Sequence, residues 1–105
     1  MTRDELDLFV SRFDEFAKWP TTKQIDYLTY YLTTQPEVES VTAGGIEECF
    51  RLLDLRPYSR MSVYFSENTG KKDGKYIKHS KGYRLERSIF EVILYDIAIP
   101  LCFYY

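Results

Sequence analysis

Hydrophobic side chains recur at helical spacing through the first twenty residues of the chain. This pattern predicts one amphipathic helix that stops near Trp19-Pro20, because the residue before a proline avoids helical backbone angles. Thr2 and Glu5 have the spacing of a capping box at the start of this helix. The apolar stripe comprises Leu6, Phe9, Val10, Phe13, Phe16 and Ala17. We interpret this stripe as core, with a partner-binding face as the alternative.

Two more helices are predicted between residues 21 and 54. Thr21 or Thr22 can cap the first of them, which should end by Thr34, ahead of a proline. Thr42 is the N-cap candidate of the second helix. Gly44 and Gly45 in its first turn indicate either a frayed turn, which we prefer, or close approach of another group. The predicted inner faces are Ile25, Leu28 and Leu32 in the first helix and Ile46, Cys49, Phe50 and Leu53 in the second.

Residues 59–68 fit either a short helix or a strand. Met61, Tyr64 and Phe65 have the i, i+3, i+4 spacing of one helix face, but periodicity alone does not decide so short a run. We predict a helix because Ser59 can cap it and a polar segment follows it.

A basic β-hairpin and a last helix complete the predicted elements. Lys75–His79 and Tyr83–Arg87 alternate apolar and polar residues around a short turn that contains Gly82, a pattern typical of a hairpin. Ser88 is the predicted cap of the last helix, which Pro100 should end. An apolar tail follows this helix.

Charged side chains divide the chain into an acidic and a basic part. Residues 1–55 carry five basic and eleven acidic side chains, a net charge of −6. Residues 56–87 carry nine basic and three acidic side chains, a net charge of +6. This asymmetry indicates a polyanionic partner or a complementary protein surface, unless the two parts merely neutralise each other.

The remaining composition excludes several classes of protein. Aromatic residues make up 17% of the chain, and many should lie at the boundary of a single modest core. Cys49 and Cys102 form neither a disulfide framework nor a zinc motif, and the charged start of the chain has no secretory signal. We therefore expect a reducing, cytoplasmic location and no metal or cofactor. The apolar stretch 89–105 is too short and too polar to span a bilayer.

Catalysis is not expected from this sequence. His79, the only histidine, sits among the lysines of the predicted hairpin, and its spacing implies no serine, cysteine or aspartate partner. Phosphate-binding loops, metal-spaced clusters and nucleophile elbows do not occur in the sequence. The adjacent acids Asp14-Glu15 and Glu47-Glu48 point in different directions around a helix and make poor catalytic pairs.

The order of the predicted elements in residues 22–88 resembles the winged helix-turn-helix superfamily. Three helices, the last at residues 59–68, precede a basic hairpin, and the resemblance rests on this order and pattern. It implies an α+β, mainly helical domain whose third helix enters the major groove of DNA, with the hairpin as a wing beside it. We expect the whole chain to be one domain, with residues 1–20 and 89–105 as accessory helices that could pair two copies.

Carried onto this sequence, the resemblance implies a nucleic-acid-binding surface on the third helix and the wing. The outer face of the recognition helix would present Arg60, Ser62, Val63 and Ser66, and arginine can pair with a guanine edge. Phosphate contacts would come from Lys71, Lys72, Lys75, Lys78, Lys81 and Arg84. Such contacts would make binding salt-dependent. The alternative for each lysine is a solubilising role at the edge of the hairpin.

The expected function is non-enzymatic binding of duplex DNA, as a small regulator or an accessory factor, for example of a mobile element or a defence system. Two features count against DNA, namely the acids Glu47, Glu48 and Asp54 on the preceding helix and the shortness of the recognition helix. The alternative is a protein-interaction module whose basic wing docks an acidic partner, or a homodimer that buries the apolar end 101–105.

Overall fold

The structure is a computed structural model that describes residues 3–70, 74–79 and 81–102. Its fold is α+β and mainly helical, as predicted. The elements in chain order are α1 (Arg3–Val10), a 3-10 helix (Phe16–Lys18), α2 (Thr21–Thr33), α3 (Ala43–Leu52), α4 (Met61–Glu67), β1 (Tyr76–His79), β2 (Gly82–Leu85) and α5 (Arg87–Cys102). Thr2 of the predicted capping box, the candidate residues Lys71 and Lys72, and residues 103–105 of the apolar tail lie outside the described residues.

The amino-terminal segment is not the single helix that the sequence predicts. α1 ends at Val10, and the chain turns before it forms the 3-10 helix, with Glu15 in the left-handed region at φ 55°. The turn brings together the rings of Phe13, Phe16, Trp19 and Tyr27, whose contacting pairs have centroids 5.0 to 6.2 Å apart. We attribute the break to this ring packing, which offsets the helical hydrogen bonds that the turn gives up.

α2 lies at the centre of the fold. Its predicted inner face is buried, but so are all the remaining residues from 24 to 30. A helix that is buried all round must contact other elements on several sides, and α2 contacts α3, β2 and α5. Its buried polar side chains are Gln24, Asp26 and Thr29. Each of them is hydrogen-bonded, as buried polar groups require.

α3 and α4 form as predicted, but the cap of α4 differs. Thr42 caps α3, since its Oγ1 accepts the N–H of Gly45 at 3.1 Å. Residues 59–68 adopt the helical alternative, and the N-cap position of α4 is Arg60 rather than Ser59, with no side-chain capping bond. The buried residues of the two helices are Ile46, Cys49 and Phe50 in α3 and Met61, Tyr64 and Phe65 in α4.

The hairpin gains a third paired segment from the loop before α3. β1 and β2 pair antiparallel, and Val41 exchanges two backbone hydrogen bonds with Tyr83, at 2.7 and 2.8 Å. The sequence predicts Gly82 in the turn of the hairpin. In the structure it is instead the buried first residue of β2. A Cβ there would lie 2.7 Å from the Oγ of Ser40, so this crossing of two chain segments requires glycine.

α5 packs on α2 and begins and ends differently from the prediction. The carboxylate of Glu86 accepts the N–H of Ser88 at 2.9 Å, so Ser88 lies inside the helix and does not cap it. The helix continues beyond Pro100 and ends at Cys102, so the proline does not terminate it as predicted. Pro100 lies only two residues before the end, so most of the hydrogen bonds of α5 do not depend on it. The Tyr27 hydroxyl donates to the carboxylate of Asp96 and ties α5 to α2.

Candidate nucleic-acid interface

The outer face of α4 is exposed. Arg60, Ser62, Val63 and Ser66 all lie at the surface, because the positions that face the core are spaced at i, i+3 and i+4. The guanidinium of Arg60 lies 3.7 Å from the carboxylate of Glu67. Both side chains are more than half exposed, so this pair contributes little and leaves Arg60 accessible.

The hairpin adds positive charge beside α4. Lys78 and Lys81 are exposed, and Arg84 is partly buried. Among the residues that the structure describes, no carboxylate forms an ion pair with any of these three. The Nζ of Lys78 lies 4.5 Å from the centre of the Tyr83 ring, a contact that leaves its charge uncompensated. The three side chains can therefore attract an anionic partner.

Aromatic packing holds the hairpin against α4. Phe65 of α4 stacks on Tyr83 with ring centroids 5.1 Å apart, and it contacts Tyr76 edge-on at 4.8 Å. The N–H of Tyr76 donates to the carbonyl of Asn68, directly after α4, at 3.0 Å. The two elements adjoin, so the exposed residues of α4 and the basic residues of the hairpin are together named the α4–hairpin surface, although the β1–β2 register puts Lys78 and Arg84 on opposite faces of the hairpin. The α4–hairpin surface consists of Arg60, Ser62, Val63, Ser66, Lys78, Lys81 and Arg84.

Lys75 differs from the other predicted phosphate contacts, because it is engaged inside the protein. Its Nζ lies 3.1 Å from the carboxylate of Asp26 and 3.3 Å from the hydroxyl of Tyr64. The Lys75 side chain is 38% exposed, whereas that of Asp26 is only 10% exposed. The buried carboxylate neutralises the ammonium, so we leave Lys75 out of the α4–hairpin surface.

The carboxylate of Asp26 joins three elements. Tyr64 of α4 donates to its Oδ1 at 2.8 Å, and Tyr76 of β1 donates to the same oxygen at 2.5 Å. Burial, and after it the charge of Asp26, raises the pKa of both tyrosines above the ordinary value of 10.0. Sequence reasoning missed this cluster. The signal that could have found it is that Asp26 is the single charged residue in the run 25–32, and a lone charge there needs partners.

A groove of about 730 Å³ lies between α3 and the start of α4, and Glu47 and Asp54 are among its lining residues. Asp54 lies beyond the end of α3, although the sequence predicts it on that helix, and it pairs with Arg3 at 2.7 Å. Glu48 on α3 accepts from Arg51 at 3.0 Å. The arginines compensate two of the three acids that count against DNA. Glu47 remains exposed on α3.

His79 and Cys49 are the other reactive side chains that the sequence singles out. His79 is exposed at the end of β1. Burial raises the pKa of Cys49 to about 12, so its thiol stays protonated at neutral pH. Within residues 3–70, 74–79 and 81–102, no group of three His, Cys, Asp or Glu side chains could hold a metal ion. In the same part of the chain, no helix has the length and apolar character needed to cross a membrane.

Similarity to other proteins adds nothing to this description. No protein-family model, no curated protein and no solved structure matches the chain.

Proposed function

We propose that the chain is a DNA-binding module of the winged-helix type, without catalytic activity. The observation that supports this proposal is the positive charge of Lys78, Lys81 and Arg84 on the hairpin that adjoins α4, where no described carboxylate pairs with them. In the proposed complex α4 faces the major groove, where Arg60 pairs with a base edge, and the hairpin contacts phosphates. The order of α2, α3, α4 and hairpin is compatible with this docking.

Duplex DNA fits this surface better than a single strand does. Proteins that bind single strands rely on exposed aromatic rings on which the bases stack. In α4 and the described part of the hairpin, every aromatic side chain is buried or partly buried, and the exposed large apolar residues are Val63 and Ile77. A branched apolar side chain such as Val63 can instead contact the thymine methyl group in the major groove.

A fluorescence titration with duplex and single-stranded DNA at several salt concentrations tests the proposal. We expect the duplex to bind more tightly, with an affinity that falls steeply as salt rises, because phosphate contacts release counterions. The triple variant Lys78→Ala/Lys81→Ala/Arg84→Ala should weaken binding to every duplex. The slope of log affinity against log salt should decrease by about 1 for each phosphate that the variant no longer neutralises. Arg60→Ala should also relax the sequence preference.

A charge-matched control removes three basic side chains from other parts of the surface. Arg12→Ala/Lys18→Ala/Arg51→Ala changes the net charge by the same amount, and all three residues are exposed. This variant should bind duplex DNA nearly as well as the wild type. An affinity that does not depend on salt, or an equal loss of affinity in this control, would contradict the proposal.

A second function, association with another copy of the chain, is favoured by the outer face of α5. Val92 and Tyr95 are 64% and 69% exposed on this face. Neighbouring apolar side chains of this size often mark an interaction site. Light scattering should show an assembly that Val92→Ser/Tyr95→Ser, or deletion of residues 97–105, converts to a monomer. A wild-type chain that is already monomeric would remove the homodimer from consideration.

A further inference from the structure

One buried carboxylate holds both elements of the α4–hairpin surface. Asp26 lies on α2, is buried, and belongs to neither of the elements proposed to contact DNA. Its Oδ1 accepts hydrogen bonds from Tyr64 on α4 and Tyr76 on β1, and its Oδ2 accepts one from Lys75, directly before β1. Within the described residues, no other side chain outside α4 and β1 bonds to both of them.

We propose that Asp26 is a positioning residue of the nucleic-acid interface, which holds the hairpin at one distance and angle from α4 so that both can engage one duplex. This inference rests on the proposed DNA binding. Base edges and phosphates of a duplex have fixed spacings, so a helix in the groove and a wing on the backbone must be held in register. A displaced hairpin would no longer reach its phosphates and would also misplace α4.

Other contacts should keep the protein folded when this carboxylate is changed. The backbone pair of Val41 and Tyr83 holds β2, and the ring of Phe65 packs the hairpin on α4. Asparagine at position 26 has the size of aspartate and keeps one acceptor oxygen, but it places an amide donor among the donor groups of Lys75 and the tyrosines. We therefore expect Asp26→Asn to fold and to loosen the junction between α4 and the hairpin.

The Asp26→Asn substitution should have opposite effects on DNA affinity if Asp26 positions the hairpin and if the surface acts only through its charge. Asp26→Asn removes a negative charge and releases Lys75, so a surface that acts only through its charge would bind DNA more tightly. If Asp26 holds the two elements in register, affinity falls instead, on the order of tenfold, because the variant removes bonds from a charged acceptor to both elements. The direction of the change therefore separates the two explanations.

A double-mutant cycle with a fluorescent duplex tests the proposal, at a temperature at which circular dichroism shows every variant to be folded. Lys75→Met should weaken binding in the wild-type background and should have no further effect in Asp26→Asn, since both act through one ion pair. Glu48→Gln is the matched control: it removes a partly exposed acid on α3 and should not weaken binding. Tighter binding by Asp26→Asn, or additive effects in the double variant, would overturn the proposal.

Amide hydrogen exchange gives a readout that needs no DNA. Asp26→Asn should accelerate exchange on the order of tenfold at Asn68 and Tyr76, whose N–H groups lie at the junction, while Phe50 in α3 keeps its rate. Equal acceleration everywhere would mean that Asp26 only stabilises the fold, and the proposal would fail.

The two proposals can fail separately. If the wild-type chain binds no duplex, the proposed function is wrong, and hydrogen exchange still decides whether Asp26 fixes the hairpin to α4. If Asp26→Asn does not fold, Tyr76→Phe replaces it in the affinity measurement and in hydrogen exchange, without the Lys75→Met cycle, because it leaves the ion pair of Asp26 and Lys75 intact. This variant removes one bond between Asp26 and β1 and should give a smaller change in the same direction.

Discussion

At Gly82, β2 passes so close to the loop before α3 that no side chain fits between them. A Cβ at this position would lie 2.7 Å both from the Oγ of Ser40 and from the carbonyl oxygen of Val41. That carbonyl cannot move away without breaking its bond to the N–H of Tyr83. We expect Gly82→Ala to lower the free energy of unfolding by about 1–3 kcal/mol, measured by urea denaturation.

Gly44 provides the control for this substitution. It lies in the first turn of α3, where an added Cβ would meet only the Oγ1 of Thr42, at 4.0 Å. Because alanine favours the helix, Gly44→Ala should raise the free energy of unfolding by about 0.5–1 kcal/mol. Equal effects of the two substitutions would argue against a tight crossing at Gly82.

The hydroxyls of Tyr64 and Tyr76 predict a loss of stability at alkaline pH. Their pKa values are raised in the folded protein, chiefly by burial and then by Asp26, whereas in the unfolded chain they titrate near 10.0. Above that pH the folded state binds more protons than the unfolded state, so the free energy of unfolding falls as pH rises. Urea denaturation across a pH series should show this fall beginning near pH 10.0. Tyr64→Phe/Tyr76→Phe should show a shallower fall, and an unchanged slope would contradict the assignment.

At the scale of the elements, the sequence predicts helices well where one face is clearly apolar. The periods in α3 and α4 identify the residues that these helices bury, because burial of a stripe is what stabilises a short helix. In α2 the period marks only part of what is buried, and the predicted Leu53 lies partly buried beyond the end of α3. The break after Val10 and the extension past Pro100 are not predictable in this way. In the first case ring packing outweighs the helical period, and in the second the helix extends two residues past the proline. Single capping residues are equally uncertain, as Ser59 and Ser88 show.

The candidate site is predictable only in part, because the sequence pattern reports local spacing and not contacts between distant residues. Helical spacing suffices to place Arg60, Ser62 and Ser66 at the surface of α4, where the structure has them. Nothing in the local sequence separates Lys75 from Lys78. Their difference depends on where the hairpin meets α2, a contact between residues 49 positions apart. Sequence periodicity carries no information about such a contact.

Arg60 at the start of α4 is expected to lower the stability of the protein while it strengthens DNA binding. Arg60 occupies the N-cap position, makes no capping bond, and puts a positive charge at the positive end of the helix dipole. Arg60→Ser should therefore raise the free energy of unfolding by about 0.5–1 kcal/mol in urea denaturation. The same variant should bind duplex DNA more weakly in the fluorescence titration. A variant that is destabilised, or that binds as well as the wild type, would argue against this role.

For the whole molecule, the separation of charge predicts binding to polyanions despite an acidic isoelectric point. The net charge is −2 and the pI is about 5.4, yet residues 56–87 carry a net +6. We expect a heparin column to retain the protein at neutral pH and low salt, because the local field rather than the net charge governs the encounter. Lys78→Ala/Lys81→Ala/Arg84→Ala should elute much earlier. Passage of the wild type without retention would show that the acidic part masks the basic one.

The pairing of Val41 with Tyr83 joins the hairpin to a segment that is synthesised about forty residues before it. Until Tyr83 emerges, the nascent chain cannot pair Val41 and leaves the Phe65 ring without the partner that stacks on it. Folding can then be completed only after most of the sequence has been translated. A chain released before that point would expose this apolar surface and become a substrate for chaperones and proteases.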